Sequence, residues 1–165
     1  TDAVDGAGLP AHSVEVLVEG GLDADIREAL WLNVAAGIAT YGTTSGSHVD
    51  TQGHAHTVKF TRPTLVPIWV IMNLTVDATL WPADGADQVK AAIIEWGDAQ
   101  KAGKNAVSAA ISARAFLLNI GVLESEALIG LVNPPTLTTT VAIGLRELAT
   151  YDTGRISVVA TPGTP

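Results

Sequence analysis

The chain contains no cysteine among its 165 residues. That absence excludes a disulfide framework, thiol catalysis and thiolate metal sites, and it suits a protein made in a reducing cytoplasm. Positive charge is also scarce. Nine Lys and Arg stand against 17 Asp and Glu, giving a net charge of −8. Non-specific nucleic-acid binding relies on cations that neutralise phosphates, and no basic run exceeds two residues, so no nucleic-acid partner is expected. Long apolar runs are missing too. The most apolar window, Leu65 to Val76, falls short of the ~20 residues a membrane-spanning helix needs, and it contains Pro67 and Asn73. No membrane insertion is expected, the chain reads as soluble, and no secretory signal stands at its start. Aromatic residues make up only 5% of the chain, and Trp31, Trp69, Trp81 and Trp96 lie at unrelated spacings. Such a scatter makes neither a sugar-binding platform nor a base-stacking surface.

What is present describes a folded chain: 47% hydrophobic residues and a mean hydropathy of +0.32. The length suits one domain, or two small lobes. His12 to Glu19 alternates Val14, Val16 and Val18 with Glu15, Leu17 and Glu19, the period of a strand. Gly20-Gly21 ends it. Asp23 is placed to cap a helix over Ala24 to Ala36, whose Ile26, Leu30 and Val34 form one buried stripe, with Gly37 just past its end. From Gly37 to Val76 the chain reads as a hairpin hinged at Asp50-Thr51-Gln52-Gly53, a type I turn by its Asp and Gly, followed by a long strand. Ile68, Val70, Met72, Leu74 and Val76 share one parity from Val66 onward, which fixes the register of that strand.

Asp84 is placed to cap a second helix ending near Ala102-Gly103, with Val89, Ile93 and Trp96 on its apolar stripe and Gly97 a late weakness. Asn105 is placed to cap a third over Ala106 to Leu118. Val122 to Val132, Thr138 to Ile143 and Arg155 to Thr161 read as strands. The expected fold is α+β: two small lobes, each a mostly antiparallel sheet packed with one or two helices. The expected division is a leader over residues 1–12, a first lobe over 13–64 and a second over 65–165.

Candidate chemistry is thin. His54 and His56 fall on one face of a strand, and His48 lies across the turn, so three imidazoles could gather a divalent metal and support a metal-dependent hydrolase. The plainer reading makes them polar positions on the exposed face of a hairpin. Asp84 and Asp87 suit the start of a helix. Glu124 and Glu126 share a strand face, either as a carboxylate pair or as a solvated surface. Ser45, Ser47 and Ser108 lack the context of a hydrolase nucleophile. Gly6, Gly8, Gly20 and Gly21 match neither the dinucleotide nor the phosphate-loop pattern. Asn73-Leu74-Thr75 is a glycosylation sequon in the middle of an expected strand. No nucleophile, base and orienting group converge. The expectation is therefore a protein that is not an enzyme, with no catalytic, cofactor or metal residues and no cofactor.

One ordered set of residues is distinctive. Pro10, His12, Ser13, Glu15, Val16 and Val18 to Gly21 come first, then Ile26, Glu28 to Trp31, Ala36 to Ile38 and Thr40 to Gly42. Asp50, Gln52, Gly53, His56 to Val58, Phe60, Arg62 to Thr64 and Val66 to Ile68 follow. Pro82 to Asp87, Ala142 to Gly144 and Ile156 to Val158 complete the set. It resembles the C-terminal part of the phage baseplate J-like family over nearly the whole chain, matching least from Lys101 to Thr138. The resemblance implies a non-catalytic virion protein, a wedge component of a contractile-tail baseplate. It would be made in the host bacterial cytoplasm and act by binding other wedge and hub proteins and sheath-proximal proteins. It also implies a missing region upstream of Thr1, so that the chain is a C-terminal fragment, monomeric on its own, with its hairpin as a contact arm. Beside it stands a receptor- or glycan-binding tail module, which requires an exposed aromatic patch at Trp69 or Trp81.

Overall fold

The computed structural model describes residues 4–6 and 8–164, so part of the expected leader lies outside the described residues. The chain is α+β and divides into two compact units, Thr1–Pro63 and Thr64–Pro165.

Unit 1 contains β1 (Ser13–Glu15), α1 (Asp23–Asn33), β2 (Ala39–Tyr41), β3 (Thr44–Val49) and β4 (Ala55–Phe60). β3 and β4 form the expected hairpin, paired antiparallel from Thr44↔Phe60 to Val49↔Ala55. At its tip the Gly53 N–H donates to the Asp50 carbonyl at 3.0 Å, and Gly53 takes a φ of +86°, a conformation that glycine adopts without cost. β1 is shorter than the expected strand and runs parallel to β2. Beyond β1, Leu17 forms a parallel bridge to Thr61. α1 lies against β3 and β4. It begins at Asp23 instead of being capped by it, and it stops at Asn33, before the expected Ala36.

Unit 2 contains β5 (Thr64–Pro67), β6 (Trp69–Asp77), α2 (Gly85–Asp98), β7 (Ala106–Val107), α3 (Ser108–Leu117), β8 (Val122–Gly130), β9 (Thr140–Val141), β10 (Glu147–Thr150) and β11 (Ile156–Gly163). A three-stranded sheet in the order β11-β6-β8 carries α2 and α3 on one face. The parity expected for β6 holds: Val70, Met72, Leu74 and Val76 are all buried, as is Ile68 before them. Val89 and Ile93 of α2, Ile111 and Ala115 of α3, and Ala127 and Ile129 of β8 complete the core.

Three features differ from the expectation. Pairing is mixed, because β1–β2, β5–β10 and β6–β11 are parallel while β3–β4, β6–β8 and β7–β9 are antiparallel. The parallel partners come from distant parts of the sequence, which a reading of local turns favouring hairpins does not capture. The expected strand from Val66 is two strands: at the buried Ile68 the chain leaves the β5–β10 pair and joins the larger sheet. Finally, Gly97 sits directly over Tyr151, where an added Cβ would strike the phenol ring, so this glycine makes room for the core.

Candidate functional site

Unit 1 places most of the residues singled out in the sequence. His48 stands directly opposite His56 across the hairpin. Both rings stack against Trp31 of α1, His56 at 4.0 Å between centroids with 22° between planes, and His48 at 5.8 Å with 30°. This corrects the reading of these histidines as exposed polar positions, because the helix covers the face they share. His54 remains exposed at the turn. Trp31 is 38% exposed and presents one surface to the imidazoles.

Asp50 ties the hairpin tip together. Its Oδ1 accepts the backbone N–H groups of Gln52 and His54, both at 2.9 Å. Its Oδ2 meets His56 Nε2 at 2.9 Å. The His56 hydrogen bond, followed by the His54 amide, holds the Asp50 carboxyl below the usual carboxylate range. Hairpin tip, imidazole and Trp31 therefore form one connected stack. Among the described residues no group of three or more His, Asp or Glu is placed to hold a metal.

A second polar knot closes the other end of the unit. The Arg62 guanidinium donates to the carbonyls of Val18 (3.2 Å), Gly20 and Gly21 (2.9 Å), and reaches Asp23 Oδ1 at 2.6 Å. It also lies over the Phe60 ring, 5.1 Å from the centroid. Asp23 thus serves as an anchor for Arg62, which explains why it does not cap α1. Beside it the buried Thr61 hydroxyl donates to Glu15 Oε1 at 2.5 Å and accepts the Thr43 N–H at 3.3 Å.

Beside Trp31 lies a largely apolar groove of about 790 Å³, walled by Leu30 to Leu32 and Val34 to Thr40 and floored by Thr57, Val58 and Lys59 of β4. Leu32 and Ile38 on its rim are 71% and 40% exposed. Sequence reasoning missed this groove. α1 has no fully buried residue, although its Ile26, Leu30, Val34 pattern looked like an ordinary core stripe.

In unit 2 the candidate residues do not converge. Glu124 and Glu126 face Thr75 and Asn73 across the β6–β8 pair, accepting from Thr75 Oγ1 at 3.1 Å and Asn73 Nδ2 at 3.4 Å in a shallow depression of about 380 Å³. Asp84 accepts from Gln88 Nε2 at 3.0 Å, and Asp87 pairs with Lys90 at 3.6 Å. Asn105 Oδ1 accepts the Ile143 N–H at 3.0 Å and so holds a loop instead of capping a helix. Ser108 is buried and donates to the Ala127 carbonyl at 2.5 Å. Trp81 is half-buried against the core and Trp69 is half-buried in β6, so neither makes the exposed patch a glycan-binding module requires. Trp96 packs against the core 5.9 Å from the Tyr151 ring. Burial pushes the Tyr151 phenol up to about 12. No helix among the described residues is long and apolar enough to cross a membrane.

No family model matches the chain, and no curated protein matches it.

Proposed function

We propose that the chain is a structural component of a contractile-tail baseplate, a wedge protein that acts through protein–protein contacts in tail assembly and in the rearrangement triggered by the host. The observation that carries this reading is the ordered resemblance to the baseplate J-like family, from Pro10 to Val158. The surface of unit 1 supports it. An apolar groove beside a helix with no sealed face suits a subunit that finishes burying its apolar surface against neighbours. The partners are other wedge and hub proteins and sheath-proximal proteins, and the working location is the virion.

The test is a pull-down of the full-length protein with the adjacent wedge and sheath-initiating proteins of the same particle, together with protein analysis of purified tails. Binding to at least one neighbour and stoichiometric presence in tails are expected. Absence from tails, or failure to bind any of these partners, overturns the reading.

A further inference from the structure

The groove in unit 1 is more than an apolar surface, because its floor includes Thr57, which lies on a stretch of the β4 edge that has no partner strand. In an antiparallel pair, residues alternate between those that bond across the pair and those whose N–H and C=O point away from it. The Asp50 N–H donates to the His54 carbonyl at 2.9 Å, which sets the phase. In that phase, residues 55, 57, 59 and 61 turn their main-chain groups away from β3. The chain confirms the phase at two of them. Thr61 exchanges hydrogen bonds with Val16 and Val18, both at 3.0 Å, and the Lys59 N–H donates to Thr40 Oγ1 at 2.9 Å. The outward groups of Ala55 and Thr57 have no such partner among the described residues. The edge of β4 is therefore covered at Lys59 and Thr61 and open at Thr57 and Ala55, and the groove reaches the open stretch at Thr57.

We propose that this groove takes an extended segment of a neighbouring protein chain, added as a strand along the outer edge of β4. Unsatisfied main-chain donors and acceptors select an extended backbone, and alternate side chains of that backbone meet apolar walls. Trp31, Leu32 and Ile38 supply those walls. Lys59, the one charged residue lining the groove, selects an acidic residue on the incoming strand. The outer edge of β3 also has no partner strand among the described residues, but the groove does not include it. Such a strand fits whether or not the chain sits in a tail baseplate, so a negative result in purified tails would leave the groove standing.

The experiment titrates the full chain with a short synthetic peptide that alternates valine and isoleucine with threonine and carries one glutamate. Amide exchange at 55–59 and Trp31 fluorescence are the readouts. Binding slows exchange at Ala55 and Thr57 at least about tenfold, as expected where new main-chain hydrogen bonds form. The same peptide with its bonding edge N-methylated does not bind. Thr57→Pro abolishes binding and keeps the hairpin, since that N–H does not serve the β3 ladder. Lys59→Glu keeps the edge and shifts preference from the glutamate peptide to a lysine version, about tenfold overall. Equal binding of the N-methylated peptide, or no protection at Ala55 and Thr57, overturns the proposal. Self-association that protects the same amides would assign the groove to a second copy and overturn it as well.

Discussion

Unit 2 seals a continuous apolar cluster running from Ile68 to Ile156, whereas among the described residues of unit 1 only Val58 and Phe60 are sealed apolar side chains. Burying a large aliphatic side chain contributes about 1.5–3 kcal/mol, so the core sets the geometry of unit 2 and its polar groups can be incidental. Unit 1 has little of this to draw on. Its form rests on Arg62 holding three carbonyls and Asp23, on Thr61 bridging Glu15 and Thr43, and on Asp50 and Trp31 enclosing His56. The difference shows how a small unit can keep a defined shape while leaving apolar surface open. Directional contacts replace area.

The sharpest way to break this comparison is to cut each unit where it is held. Ile93→Ala removes a fully buried side chain from unit 2 and should cost about 2–5 kcal/mol. Urea unfolding followed by Trp96 fluorescence measures it, and a cost under ~1 kcal/mol would show that the core is not what holds the unit. Arg62→Ala comes next. Losing charged hydrogen bonds to several carbonyls should cost unit 1 about 1.5–3 kcal/mol, reported by Trp31. Arg62→Lys should restore little of it, because one ammonium cannot span the same set of acceptors. If lysine rescues fully, net charge rather than geometry holds the unit.

Gly97→Ala probes packing in unit 2 more gently. Helix propensity gains about 1 kcal/mol, but the new methyl meets the Tyr151 ring, and overpacking costs about 1–3 kcal/mol. The expected result is a net loss on the order of 1 kcal/mol, turned into a gain by adding Tyr151→Leu only if the ring is the obstacle.

The smallest effects are at the extremes of pH, and they fall on opposite units. Asp50 is held below its ordinary value of 3.8, so its contribution is complete above that value and is lost as pH falls through the lower folded-state value. Amide exchange at Gln52 and His54 should accelerate there, and Asp50→Asn should abolish the pH dependence of that change. Tyr151 is raised from 10.0 to about 12, so its contribution is complete below 10 and is lost as pH rises toward 12. A phenolate absorbance titration should show one of the two tyrosines ionising late. Persistence of the late phenol in Tyr151→Phe would contradict its assignment to the buried Tyr151.

Local pattern made part of this legible. The Asp50–Gly53 turn, the alternation from Ile68 to Val76 and the Val89, Ile93 stripe of α2 follow from short-range periodicity, and the structure places them as read. Glu147–Thr150 escaped because a four-residue strand whose Leu148 and Ala149 are both buried shows no alternation. The parallel pairings escaped because nothing near Thr64 or Val70 refers to partners near residue 150. Asp84 stands at the N-cap position of α2 as read, with its carboxylate accepting from Gln88 Nε2, whereas Asp23 and Asn105 misled as caps because each has another partner, in Arg62 and the Ile143 amide. At the candidate site, the face shared by His48 and His56 was readable from strand parity. The Trp31 ring over it was not, because no local spacing links a helix residue to a hairpin. The groove was invisible for the same reason. A half-buried apolar stripe and a fully buried one are written with the same residues.

The division of one strand at Ile68 has a consequence for the order of events. β5 and β6 follow each other directly, and so, after a short turn, do β10 and β11, which pair with them in parallel. These partners lie roughly 80 residues apart along the chain, and such distant parallel pairing is slow to form. As the chain leaves the ribosome, unit 1 can close on itself while β6 still waits for its neighbour. The sheet of unit 2 is complete only when β11 emerges, so of the two units the one with the larger sealed core is the later to form.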